Sequence, residues 1–202
     1  MNAIRPIVLT TALVTSIALA ACGSKDAPAP AGVLMQSWPD AVTNQVLASD
    51  RWVSSSAAWG SYTSFQLGGV QVCGDAADSL STGDAQTLVD SLGAQLGQAF
   101  GVKRQASTTG GAGTLVIKAD IVQAVANQPV RNVNPLTQIR GAGYGTVTAE
   151  IQVTDGGTGQ LLLAFRQTGK TERFSAEKLT WWGSAEKFFG EWAKDAASAC
   201  GG

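Results

Sequence analysis

The chain has 202 residues, of which 45% are hydrophobic and 14% charged, enough apolar material for one domain of ordinary size and too much for wholesale disorder. With 14 basic against 15 acidic residues the formal charge is −1, which argues against a nucleic-acid binder, since phosphate affinity needs clustered lysine and arginine. Histidine is absent, which excludes Ser-His-Asp triads, Cys-His dyads and histidine-ligated zinc.

At the N-terminus, Arg5 supplies a positive charge and Ile7 to Ala20 runs without one. That run is too short for a spanning helix, which needs about 20 apolar residues, and its flanks fit a secretory signal peptide. It ends Leu19-Ala20-Ala21-Cys22, which resembles the lipobox of bacterial lipoproteins. The resemblance implies removal of residues 1–21 and acylation of Cys22, with the lipid bilayer as first partner. Two or more acyl chains anchor a protein stably without a transmembrane helix. Gly23 and Ser24 follow the cysteine where an aspartate would resemble an inner-membrane retention signal, so the resemblance favours the outer membrane, with the domain facing the periplasm. The Pro/Ala-rich stretch Gly23–Ala31 reads as an extended tether reaching about 30 Å. The expected organisation is therefore a signal peptide over 1–21, a lipidated cysteine and flexible tether over 22–34, and one domain over 35–202.

Met35 to Gly60 holds three tryptophans and no sustained period, so it reads as a loop-rich entry with a short helix near Ala41–Ala48. Tyr62–Val72 is a strand whose Gly68-Gly69 pair marks a bulge. Ser81 to Asp84 starts a helix whose apolar residues, Leu88, Val89, Leu92, Leu96 and Phe100 among them, share one face, and Gly101 stops it. Leu115–Val122 and Thr146–Val153 alternate as strands. Asp155–Gly159 turns into a third alternating run from Leu161, a β-hairpin by composition and spacing. A last helix from Ser184 carries the stripe Ala185, Phe188, Phe189, Trp192, Ala193 and Ala196. The expected fold is α+β in the order β-α-β-β-β-α, a mostly antiparallel sheet of about four strands with two amphipathic helices on one face.

Several pieces of the C-terminal half resemble one family. They are Pro129-Val130-Arg131-Asn132, the Gly141–Gly145 run entering a strand, Asp155-Gly156-Gly157-Thr158-Gly159-Gln160, and Trp182-Gly183-Ser184-Ala185 with Phe189-Gly190-Glu191-Trp192-Ala193. Together they are similar to the Gram-negative lipoprotein family of the domain of unknown function 3313, over roughly residues 60 to 200. This chain departs from the family pattern at Gly157 and Gly190. The resemblance implies location and fold and brings no activity.

Most candidate sites have a plain structural reading. Gly141–Gly145 is followed by a strand, not by the helix N-terminus that a phosphate loop needs. Arg131 and Arg140, in the loop spanning 127–145, together with Trp181 and Trp182 form a candidate ligand region for a carboxylate, sugar or phosphate; adjacent tryptophans also suit a membrane interface. Asp120 and Glu150 make a carboxylate pair of the kind glycosidases use, yet both fall on the polar side of strands, where charges are expected. Once Cys22 is lipidated, Cys73 and Cys200 remain, and an oxidising compartment favours a disulfide between them. The expectation is a membrane-anchored envelope lipoprotein without catalysis, cofactor or metal, acting as a structural or assembly accessory on an envelope protein. A periplasmic ligand-binding module is the alternative.

Overall fold

In the computed structural model, residues 31–127, 145–171 and 180–201 are described. In chain order the elements are α1 (Val33–Ser37), α2 (Asp40–Ser49), β1 (Arg51–Val53), a 3-10 turn (Trp59–Ser61), β2 (Ser64–Val72), α3 (Asp75–Ser79), α4 (Thr82–Gly101), β3 (Gln105–Ala106), β4 (Thr114–Val125), β5 (Thr146–Asp155), β6 (Leu161–Lys170) and α5 (Gly183–Ala199).

The strands lie in one six-stranded sheet, ordered β1-β6-β5-β4-β2-β3. β4, β5 and β6 form an antiparallel meander, and β1 joins β6 antiparallel. β2 runs parallel to both β4 and β3. The protein is thus a single α+β domain with a mixed sheet, and the expected four mostly antiparallel strands and two helices become six strands and five α-helices among the described residues. The parallel pair follows from α4: parallel neighbours cannot be joined by a tight turn, and the helix supplies the crossover between β2 and β4. The added strands β1 and β3 have three and two residues, too few to show a period.

Local chemistry sets the element boundaries. The register of β2 on β4 slips between Leu67 and Gly69, where Gly69 takes a φ of 132°, so the glycine pair is the expected bulge. Ser81 caps α4 by accepting the Asp84 backbone N–H at 3.2 Å. In the β5–β6 turn the Asp155 carboxylate accepts the N–H groups of Gly157 (2.8 Å) and Thr158 (2.7 Å).

The helices cover both faces of the sheet. On one face, Leu88, Leu92, Leu96 and Phe100 of α4 and Phe189, Trp192 and Ala193 of α5 pack on the inward residues of β4, β5 and β6. On the other, Leu34, Met35, Trp38, Val42 and Val46 of the α1–α2 segment close over Ala164 and Trp52. Leu34 is buried, so the domain starts earlier than the expected tether boundary at residue 34. Among the described residues no helix is long and apolar enough to cross a membrane.

The sheet has two distinct ends. One, the entry end, gathers the C-termini of β4 and β6 and the N-termini of β5, α4 and α5, tied together by hydrogen bonds around Asn127 and Trp182. The opposite end holds the C-termini of α4 and α5, where the buried Arg104 guanidinium donates to the Cys200 carbonyl. This layout overturns the expected Cys73–Cys200 bridge, and both thiols are free. Cys73 follows Val72, and its N–H donates to Ile121 O at 3.0 Å. Cys200 sits with Arg104, beside the Ser64–Gln105 pairing. The two are separated by nearly the whole length of β2, about 26 Å at ~3.3 Å per residue, far beyond disulfide reach. Their nearness to element ends misled because the ends are opposite ones.

Candidate functional site

The strand registers bring three charged residues side by side on the face that α1 covers: Asp120 of β4 lies opposite Glu150 of β5, and Glu150 opposite Arg166 of β6. Asp120 is 1% and Glu150 0% exposed, so neither is the solvated strand charge that its alternating position predicts. Glu150 forms an ion pair with the Arg166 guanidinium and accepts the backbone N–H groups of Gly32 (2.9 Å) and Met35 (3.0 Å). Asp120 accepts the Leu34 N–H at 2.8 Å and the Gln71 side-chain amide at 2.9 Å. Two carboxylates against one guanidinium leave negative charge in excess, and the partner-less N–H groups of the first turn of α1 meet it. Trp38 completes the seat by donating its indole N–H to Gln152 Oε1 at 2.7 Å.

Gly32 makes this approach possible. A Cβ there would lie 2.5 Å from Val122 Cγ1 and 2.6 Å from Glu150 Oε2, too close for any larger residue. Cys73 lies beside the same seat. Burial, first of all, pushes its thiol up to about 11, with the charges of Asp120 and Glu150 adding to the rise against a hydrogen bond with the Val33 backbone. The thiol is therefore protonated at neutral pH and a poor nucleophile. Burial pushes the Cys200 thiol up to about 12.

The pair that sequence spacing offered as a glycosidase dyad is thus a clamp on the chain's own incoming segment. Arg166 and the backbone of Gly32–Met35 belong to it and were not among the sequence candidates. The available signal was the apolar spacing of Leu34, Trp38, Val42 and Val46, which marks a helical segment covering that face. Asp120 also borders a groove of about 240 Å³ with Gly68, Gly69, Gln71 and Lys118. Among the described residues no cluster of three or more metal-ligating side chains occurs.

The other candidate region lies at the entry end. Arg131, Arg140 and Gly141–Tyr144 fall outside the described residues, as does Cys22. Gly145 is described, and β5 follows it directly, as expected of a strand-entry turn. Trp181 and Trp182 part company. Trp182 is half-buried and donates its indole N–H to Asp84 Oδ1 at 2.8 Å. That bond, after the one from Ser81, holds the Asp84 carboxyl below its ordinary value. Trp181 is 62% exposed, and its carbonyl accepts the Asn127 N–H at 3.0 Å. Asn127 is the knot of this end: its side chain accepts from the Gly145 N–H and the Thr171 hydroxyl and donates to Thr180 O, each at 2.8 Å. The cavity beside the tryptophans measures about 10 Å³, room for one water and no more.

The family model described as Protein of unknown function (DUF3313) matches residues 41–196. No curated protein matches the chain. Solved structures similar in fold include a PelC dodecamer variant from Paraburkholderia phytofirmans, at 10% identity and a TM-score of 0.45, covering 74% of this chain and 95% of that one. Another is the hypothetical protein CT253 from Chlamydia trachomatis, at 9% identity and a TM-score of 0.45, covering 69% of this chain and 98% of that one.

Proposed function

The chain belongs to the family of proteins of unknown function DUF3313, whose name carries no activity, and we propose that it is a lipid-anchored envelope protein that acts through protein contacts and not through catalysis. In this reading the signal peptide ends at Ala21, Cys22 carries the acyl chains, and the domain stands in the periplasm on the outer membrane. The observation that supports it most is the clamp. The strongest candidate pair for acid–base work, Asp120 and Glu150, is spent on holding Gly32, Leu34 and Met35, which follow the expected tether in sequence. A domain pulled on through its N-terminus needs this attachment. Buried charge-assisted bonds to backbone N–H groups supply it more firmly than an apolar contact alone.

The ligand-binding alternative draws no support from the entry-end cavity, which is too small for any organic molecule. Detergent partitioning of the wild-type protein and Cys22→Ala, expressed in a Gram-negative host, tests the anchor. The wild type is expected in the detergent phase and the variant in the aqueous phase. Equal partitioning of the two refutes the reading.

A further inference from the structure

We infer that the open edge of β2, from Leu67 to Val72, receives an extended segment of a partner protein, which adds a strand to the sheet and brings a carboxylate to Lys118. The inference rests on the protein-contact part of the reading above, for which it names a surface, and is independent of the Cys22 anchor.

The outer neighbour of β2 is β3, which pairs only with Ser64 and Phe65. The Ser107 N–H closes that pairing on the Phe65 carbonyl at 2.7 Å, and the Ser107 hydroxyl then turns the chain by donating to Thr109 O. Backbone groups alternate sides along a strand, so the peptide groups of Leu67 point outward in step with Phe65. Past the bulge, the Cys73 N–H donates to Ile121 O on the β4 side, so Val70 and Val72 point outward. Among the described residues no backbone bond outside the β2–β4 ladder reaches Leu67–Val72. The open stretch is about 16 Å long at ~3.3 Å per residue. An edge with N–H and C=O groups left over is a template for a further strand.

The surroundings suit an extended chain. Gly68 and Gly69 leave the edge bare, and glycine within a strand marks a place where another backbone can come close. The groove of about 240 Å³ runs over them, between Val33 and Leu34 of α1 and the Lys118 side chain. On the opposite face α4 stands low over the edge, where a Cβ at Gly93 or Gly97 would lie 3.7 Å from Val70 and 3.6 Å from Leu67. Side chains that alternate along an added strand therefore meet the groove on one face and α4 on the other. Charge then selects the segment. Lys118, opposite Gly69 in the register, is exposed and makes no ion pair among the described residues. Asp120 beside it is already bonded to the Leu34 N–H and the Gln71 amide. Lys103 lies near β3, while Asp75, Asp78 and, one turn before Gly93, Asp90 lie toward the Val72 end. A bulge and a lysine are devices that keep an edge from pairing indiscriminately. A carboxylate opposite Lys118 turns the second device into a contact, and the acids near Val72 keep that carboxylate at the middle of the edge.

The test is a titration of the full mature protein, held in detergent, with the acetylated and amidated peptide Thr-Val-Glu-Val-Thr, followed by backbone amide NMR. The peptide reads the same in both directions, so it suits parallel and antiparallel pairing. Its controls are the same peptide with a central lysine and the same peptide N-methylated at the central residue. The glutamate peptide is expected to shift the amide signals of Leu67, Val70 and Val72 and to bind about fivefold more tightly than the lysine peptide. N-methylation abolishes the shifts, and Lys118→Glu reverses the order of the two charged peptides. Shifts that are absent or confined to another surface overturn the inference. So does an N-methylated peptide that binds equally well, or an order that Lys118→Glu leaves unchanged. If sedimentation shows peptide-free protein pairing with itself and dilution moves the same three signals, a second copy holds the edge and the inference falls. None of these results depends on acyl chains at Cys22, so the anchor stands or falls on its own partitioning test.

Discussion

Replacing Glu150 by alanine tests the clamp. Glu150 is fully buried and serves three donors: the Gly32 N–H, the Met35 N–H and the Arg166 guanidinium. Removing it takes from Arg166, whose side chain is 10% exposed, the carboxylate it pairs with on a covered face. Breaking a buried pair from one side costs about 3–5 kcal/mol. Bonds to a charged acceptor are worth about 1.5–3 kcal/mol each, but the two N–H bonds overlap with that figure, because α1 can lift and recover water. The expected loss is therefore about 3–5 kcal/mol, a large share of the 5–15 kcal/mol that holds a typical domain. At a urea m-value of about 2 kcal/mol/M, the midpoint falls by about 1.5–2.5 M. Glu150→Gln, which keeps the shape and one acceptor oxygen, loses less. In the double variant Glu150→Ala/Arg166→Ala the losses are less than additive, since each single change already breaks the same ion pair. Amide exchange at Gly32, Leu34 and Met35 should speed up in Glu150→Ala before that of the core strands. A loss under about 1 kcal/mol, or strict additivity with Arg166→Ala, refutes the clamp as an energetic unit.

Trp192 is 4% exposed and stacks on Phe188 with ring centroids 5.6 Å apart, so Trp192→Ala is expected to cost about 3–5 kcal/mol, checked by the denaturant midpoint. Thiol counting on denatured, unreduced mature protein should find both Cys73 and Cys200 free, and in the native protein at neutral pH both should alkylate slowly, because burial raises both thiols. The Tyr62 hydroxyl, which donates to Asp155 Oδ2 at 2.7 Å, and then the Thr158 N–H hold the Asp155 carboxyl below its ordinary 3.8. A depressed carboxyl contributes stability that is present above its unfolded value and lost as pH falls through the folded one. Asp155→Asn should therefore be less stable than wild type at neutral pH, with the gap closing below the ordinary carboxylate range. A gap independent of pH contradicts this.

Elements with a long period were legible from sequence. The alternation of Leu115–Ile121 and Val147–Val153 placed β4 and β5, and the face Leu88, Leu92, Leu96 and Phe100 placed α4. Parallel pairing of β2 with β4 was not read, because alternation looks the same in either direction; the signal was the helix between them, which can only be a crossover. The sequence reading places Val33 and Leu34 in the tether and Met35–Ser37 in a loop-rich entry, because a five-residue helix has no period of its own, although its apolar side chains continue in step with Trp38, Val42 and Val46. That miss produced the next one. Without α1 over them, Asp120 and Glu150 would stand on a solvent face, and strand alternation alone does not show their burial. The cysteine pairing failed for a different reason: parity and compartment say that two thiols are left over, while their separation depends on which end of the sheet each element reaches.

The measurement that bears most directly on the account is the intact mass of the mature protein extracted from membranes of a Gram-negative host. The account predicts a chain that begins at Cys22, with the added mass of a diacylglyceryl group on the thiol and an acyl group on the amine. A chain that retains residues 1–21, or one that begins at Cys22 without acyl mass, contradicts it.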